Sequence, residues 1–164
     1  YPLPADSWHR KLRRDNTGVT GYKRMKQLAG ALSRRGDEAW QILGVQVVML
    51  GLSIAVGRPM MYVVWLASWM TLWQFSNRLR AIAEHGGMIR SRDRRETTHV
   101  IEQHPLARFW LVPYHTGWHL AHHVDMGVPW RNLPKLHAGL VEAGWITPDI
   151  TYPNYRAFWR SVSR

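Results

Sequence analysis

QILGVQVVMLGLSIAVG (residues 41–57) carries no charged side chain, and after Arg58 neither does PMMYVVWLASWMTLWQFSN (residues 59–77). At 1.5 Å per residue, a helix over either run extends roughly 25–29 Å, close to the hydrocarbon thickness of a bilayer. Gly57, Arg58 and Pro59 between them leave room only for a tight hairpin, so the spacing predicts two antiparallel spanning helices. The competing reading is a buried hairpin in the core of a large soluble domain. The flanks favour lipid. Basic residues dominate before Gln41 and again after Asn77, with Arg78, Arg80, Arg90, Arg92, Arg94 and Arg95. By the positive-inside bias this places both ends in the cytoplasm and the hairpin tip outside.

Composition agrees with that reading. The length of 164 residues allows one ordinary domain, and a hydrophobic content of 46% is enough for a sizeable core. Ten Trp is more than a soluble domain of this size needs, and several stand at the edges of apolar runs, where an amphipathic ring suits a membrane interface. A net charge of +11 suits nucleic acid, anionic headgroups or an acidic protein. The uncharged runs are hard to reconcile with a nucleic-acid binder, so the charge is assigned mainly to membrane orientation. The sequence has no Cys, which removes disulfides, iron-sulfur clusters and thiolate zinc sites; any metal must be held by His, carboxylate or amide groups. The chain opens at Tyr1 without an initiator Met or a signal pattern, and is expected to be a piece of a longer protein.

Three regions follow: a basic cytoplasmic segment (1–39), the hairpin (40–77) and a cytoplasmic region (78–164). Short helices are expected over Trp8 to Arg14 and Tyr22 to Arg34, in a basic arm that also includes Arg35. Asn77 to Ala83 continues the second span as helix until Gly86 and Gly87 stop it, leaving Glu84 and His85 beside the membrane surface. By themselves these two read as capping or surface residues. Residues 88–98 read as a charged loop. His99 and His104 lie in too irregular a context for a ligand assignment. Phe109 to Val112 is an apolar patch suited to lying in the interface.

Four of the nine histidines fall in YHTGWHLAHH, residues 114–123. Pro113 stands at an acceptable first-turn position and Gly127 with Pro129 ends the pattern, so one helix is expected between them. At about 100° per residue, His119, His122 and His123 share an arc of roughly 100°, with His115 inside it one turn earlier. Such a face can offer several neutral imidazoles to one ion or to two neighbours. The plainer reading is a polar helix with surface histidines. Asn132 is expected to cap a helix over Leu133 to Ala143, with Gly144 as the stop. His137 lies on it and, as a lone His, reads as a packing residue. A last helix runs from Asn154 to about Val162, its Tyr155, Phe158 and Trp159 available for docking.

This combination resembles the membrane fatty acid desaturase family, the histidine-box enzymes that include related hydroxylases. The residues carrying it are Ala83 to Gly87 after the hairpin, Pro113 and Tyr114 leading into His119-Leu120-Ala121-His122-His123, then Gly127 to Trp130 and Asn132 to His137. The opening Arg10 to Asp15 with Thr17 to Gly21 looks like the segment after the second histidine box in bacterial members. The first two boxes of the family are absent, so the chain looks like the C-terminal part of such an enzyme. The resemblance implies an all-α fold, an integral-membrane helical hairpin followed by cytoplasmic helices carrying the histidine box. It implies two iron ions, held in the intact enzyme by about eight or more histidines, that use dioxygen and external electrons to introduce a double bond into a fatty acyl chain. His119, His122 and His123 are then ligands and His85 a fourth, while Asn77, Glu84, His115 and His137 are candidates for supporting them. The implied partners are a fatty acyl substrate (lipid, CoA or carrier-protein linked), a ferredoxin or small cytochrome as electron donor, and the membrane, with no nucleic acid.

Other readings are a diiron lipid or carotenoid hydroxylase, a zinc-dependent membrane hydrolase and a non-catalytic membrane fragment. Oxygen rebound in place of a second hydrogen abstraction gives the hydroxylase with the same ligands. Zinc also accepts imidazole, but the sequence has no H-E-x-x-H.

Overall fold

The computed structural model describes residues 5–34 and 36–162; the opening from Tyr1 to Pro4 and Arg35 of the basic arm lie outside the described residues. The chain is mostly helical, as its patterning predicts. It divides into two compact units, Arg10–Ser76 and the described residues on either side of that range.

The described elements of the first unit are helical. α1 (Ala5–Asn16), which begins before it, ends near Gly18, where a left-handed residue (φ 78°) opens α2 (Val19–Ser33). α3 (Asp37–Ala55) starts four residues earlier than the uncharged run, because Asp37 and Glu38 suit the positive end of the helix dipole. Gly57 at φ 70° supplies the left-handed turn after α3, and the Arg58 amide donates to the Ser53 carbonyl at 2.8 Å. α4 (Met60–Ser68) follows, and the Tyr62 hydroxyl donates to Gln46 Oε1 of α3 at 3.2 Å.

Among the described residues, α3 is the one helix long and apolar enough to cross a membrane. Its valines and leucines, among them Val45, Val48 and Leu52, are exposed rather than packed in a core. The second apolar run is not a single regular α-helix. A π-helical segment, Trp69–Trp73, separates α4 from α5 (Gln74–His85). Side chains occupy carbonyls around it: the Thr71 hydroxyl donates to Ala67 O at 2.7 Å and Gln74 Nε2 to Trp69 O at 3.3 Å. Such side-chain competition for carbonyls loosens the regular ladder.

The second unit contains the end of α5 and everything after it. α5 stops at His85, and Gly87 takes φ 79°, as the paired glycines lead one to expect. Residues 88–98 form a loop with one 3₁₀ turn at Arg94–Glu96. β1 (Val100–Ile101) then pairs in parallel with β2 (Thr151–Tyr152), Val100 opposite Thr151. Two-residue strands give no alternating pattern, so this bridge in an otherwise helical chain was not expected from the sequence. Val100, Leu120 and Ile146 form a small core against which Leu140, Trp145 and Ile150 pack. α6 (Pro105–Trp110), α7 (His119–Val124), α8 (Leu133–Glu142) and α9 (Tyr155–Val162) complete the unit. On α9 Tyr155 and Phe158 are buried, and Trp159 Nε1 donates to Leu79 O at 3.4 Å, so the expected docking face is used.

Two local expectations need correction. The histidine helix does not start at Pro113. Tyr114 and His115 adopt left-handed backbone (φ 56° and 58°), which a regular helix excludes, and α7 begins only at His119. Asn132 precedes α8 without capping it: a 3₁₀ turn, Trp130–Asn132, leads in, and the Asn132 side chain accepts no capping bond.

Within the first unit Gly21 is buried against the π segment. A Cβ there would lie 2.5–2.7 Å from Met70 O, Cα and Cβ. Gly21→Ala is therefore expected to destabilise the protein by about 1–3 kcal/mol through overpacking. Gly30→Ala, which meets only the flexible Arg34 guanidinium at 3.9–4.0 Å, is expected to be neutral or mildly stabilising. Thermal unfolding in detergent micelles checks this; equal midpoints for the two variants would contradict the close approach.

Candidate metal site

α7 is only six residues long, yet it orients the site. Leu120 and Ala121 are buried on one side, which leaves His119 and His123, four residues apart, on the side facing α5. His85 Nε2 and His123 Nε2 each lie 3.0 Å from His119 Nε2. All three rings are half-buried, and one nitrogen from each falls within 4.8 Å of the other two.

The backbone around His85 fixes that ring. Its Nδ1 lies 2.7 Å from the Thr97 carbonyl, which can only accept, so Nδ1 carries a proton and Nε2 is the nitrogen turned toward His119. The same loop caps α5. The His99 amide donates to Glu84 O at 2.9 Å and His99 Nε2 to Gly86 O at 2.7 Å. Those carbonyls would otherwise be orphaned at a helix C-terminus. His99 is itself held among Tyr152 and Phe158, and burial lowers its pKa.

The three-nitrogen contact is not satisfied by hydrogen bonds alone. One ring nitrogen offers one proton or one lone pair, and His119 Nε2 faces two other nitrogens at 3.0 Å. A separation near 3 Å is what two donors about 2.0–2.1 Å from a shared cation adopt at a right angle. A ring whose far nitrogen donates to a backbone carbonyl is also the usual arrangement of a metal-bound imidazole. The residues present therefore fit a cation with nitrogen ligands.

Burial favours the neutral form of His119 and His123. His119 is pushed down to about 3, first by desolvation and then by His123, His85, His122 and Arg80. Desolvation, then His85, also lowers His123. Glu84, nearly buried, is pushed up to about 7 by desolvation, which Arg80 partly opposes. Glu84 Oε2 lies 3.6 Å from His119 Nε2, and with His119 neutral this is not an ion pair. Arg80 Nε lies 3.3 Å from Glu84 Oε1, close enough for charge attraction but without hydrogen-bond alignment.

The remaining residues singled out in the sequence are not part of this three-histidine group. The His122 ring centroid is 6.2 Å from His119 and 5.9 Å from His123. His115 rests on Trp130, 5.5 Å between centroids, because its left-handed backbone takes it off the α7 face. His137 lies against Trp118 at 4.4 Å, with its pKa lowered by burial. Asn77, near the start of the same unit, has partners of its own. Sequence reasoning missed Thr97 and Arg80. A backbone carbonyl leaves no sequence signal, whereas the i,i+4 spacing of Arg80 and Glu84 was available.

The family model for fatty acid desaturase matches residues 1–159, and the chain belongs to that family. Neither a curated protein nor a solved structure matches it. The family consists of oxygen-dependent oxidoreductases, typically iron-dependent and membrane-associated, with fatty acyl substrates.

The depressed His119 sets a pH dependence. Between about 3 and 6.5 the unfolded chain binds a proton at this ring that the folded chain does not. Stability therefore rises with pH across that window and is lost as pH falls from 6.5 toward 3. Glu84 acts oppositely between 4.5 and about 7, where the folded chain holds the extra proton. In the metal-free protein, acidification below pH 6.5 is expected to lower the unfolding midpoint more in the wild type than in His119→Asn. Parallel midpoint curves for the two would contradict a buried neutral His119.

Proposed function

We propose that the chain is the C-terminal part of an integral-membrane diiron fatty acyl desaturase, which introduces a double bond using dioxygen and external electrons. In this reading residues 1–39 are a basic cytoplasmic segment, 40–77 a transmembrane hairpin and 78–164 a cytoplasmic region bearing the histidine box. The observation that carries it is the convergence of His85, His119 and His123, with the His85 ring oriented through Thr97. His122 joins as a fourth ligand from the adjoining turn. Iron bound there would supply the oxidising power needed to remove hydrogen from an unactivated C–H bond, which no side chain supplies.

The chain's own residues have separate tasks. Thr97 and the capped end of α5 hold His85 in one tautomer and orientation. Leu120 and Ala121 anchor α7 so that its histidines point the other way. Glu84 is the carboxylate beside His119, able to steady that ring when a cation draws charge from it. α3 and the helical run after Pro59 cross the bilayer, with both ends cytoplasmic; their exposed apolar side chains and the arginines flanking the hairpin support this topology. Two ions with four or more ligands each call for about eight donors, so the rest of the set comes from a segment outside this sequence.

Iron analysis and a product assay test the proposal. The isolated chain is expected to hold fewer than two irons, loosely, and to convert no acyl substrate. The parent enzyme, given reductant and dioxygen, is expected to yield an unsaturated acyl product, and His122→Ala to abolish this without loss from the membrane fraction. Two tightly held irons with turnover in the isolated chain would overturn the fragment reading. A hydroxylated product would overturn desaturation, and an active His122→Ala variant would remove His122 from the ligand set.

A further inference from the structure

α6 has its amphipathic pattern turned inside out. On a helical wheel Leu106, Phe109 and Trp110 fall in one arc of roughly 100°, the stripe that a soluble helix buries. Here these three are 66%, 70% and 76% exposed. The sequence pattern placed the apolar patch at Phe109 to Val112, but Val112 is fully buried and Leu106 takes its place. The chain reaches this arrangement because the Leu111 and Val112 amides both donate to Ala107 O at 2.9 Å, a tight close that turns Val112 inward. His104 Nδ1 accepts from the Leu106 amide at the other end, so the helix is capped with its apolar stripe outward. The Phe109 and Trp110 rings meet edge to face, 5.0 Å between centroids. Three adjacent large apolar side chains on a six-residue helix form a patch, not the scattered single exposures of an ordinary soluble surface.

We propose that α6 is an interfacial anchor, lying in the headgroup region of the bilayer with Leu106, Phe109 and Trp110 inserted toward the acyl chains. The proposal rests on the membrane association of the family. The chemistry of the stripe favours lipid over an acidic redox partner, because the stripe itself contains no cation. Arg108 is on the opposite side of the wheel, its guanidinium 5.7 Å above the Trp118 ring. Trp, Phe and Leu are the side chains that settle at the boundary of headgroups and hydrocarbon. The chain's net charge of +11 adds long-range attraction to anionic lipid.

Because the sequence contains no Cys, single-site labelling is clean. Phe109→Cys, Trp110→Cys, Arg92→Cys in the exposed loop and Val48→Cys in α3 are each labelled with an environment-sensitive fluorophore. The full-length labelled chains are then reconstituted into phosphatidylcholine and phosphatidylglycerol vesicles. Labels at 109 and 110 are expected to emit at shorter wavelength than the label at 92. They should be quenched by shallow spin-labelled lipid and be severalfold less accessible to aqueous iodide. Iodide accessibility at 109 and 110 equal to that at 92, with position 48 shielded, would overturn the anchor while leaving the membrane reading standing. Accessibility at 48 as well would overturn both. Shielding of 109 and 110 only after addition of a soluble acidic protein would make the stripe a protein-docking surface instead.

Discussion

One hydrogen bond, from His85 Nδ1 to the carbonyl of Thr97, connects the fold to the chemistry of this chain. It selects the tautomer that presents Nε2 to the site, and it ties the end of α5 to the segment that becomes β1. That segment has no room to drift. His99 caps α5 through its amide and its ring, and β1 is paired with β2, which leads into the buried face of α9. The orientation of one imidazole thus depends on helix capping, a two-residue parallel bridge and the packing of Phe158 against His99.

The opposite wall of the site is set by a break rather than by a regular element. Left-handed Tyr114 and His115 interrupt what the sequence reads as one long helix, and Gly117 lies so close to the Gln103 side chain that a Cβ would collide with it. Non-glycine residues rarely adopt such backbone, and where they do the strain is often found near functional sites. The consequence is a short α7 that begins at His119 and turns both His119 and His123 toward His85. The site is electrostatically quiet for so basic a chain. Burial leaves His119 and His123 without charge at neutral pH, the form in which imidazole binds metal.

Much of this was legible in the sequence, for identifiable reasons. The uncharged runs, the glycine stop after His85 and the aromatic face of the last helix follow from periodicity and breaker residues, which act locally. The pairing of His85 with His119 and His123 was legible only through resemblance, since 34 residues separate His85 from His119. What the sequence concealed are features made by backbone geometry: the π segment in the second apolar run, the left-handed pair at 114 and 115, and the role of the Thr97 carbonyl. His115 shows the limit of a helical wheel, which places it with the other histidines until the backbone leaves the helix.

The most direct test of the account is X-ray absorption of the chain at saturating cobalt(II), chosen as a spectroscopic probe of nitrogen ligation. The account predicts one ion with at least three imidazole nitrogens at about 2.0–2.2 Å, and loss of one imidazole in His85→Ala. A nitrogen shell that is unchanged in His85→Ala, or that contains fewer than three imidazoles in the wild type, would contradict the claim that α5 and α7 converge on a shared metal.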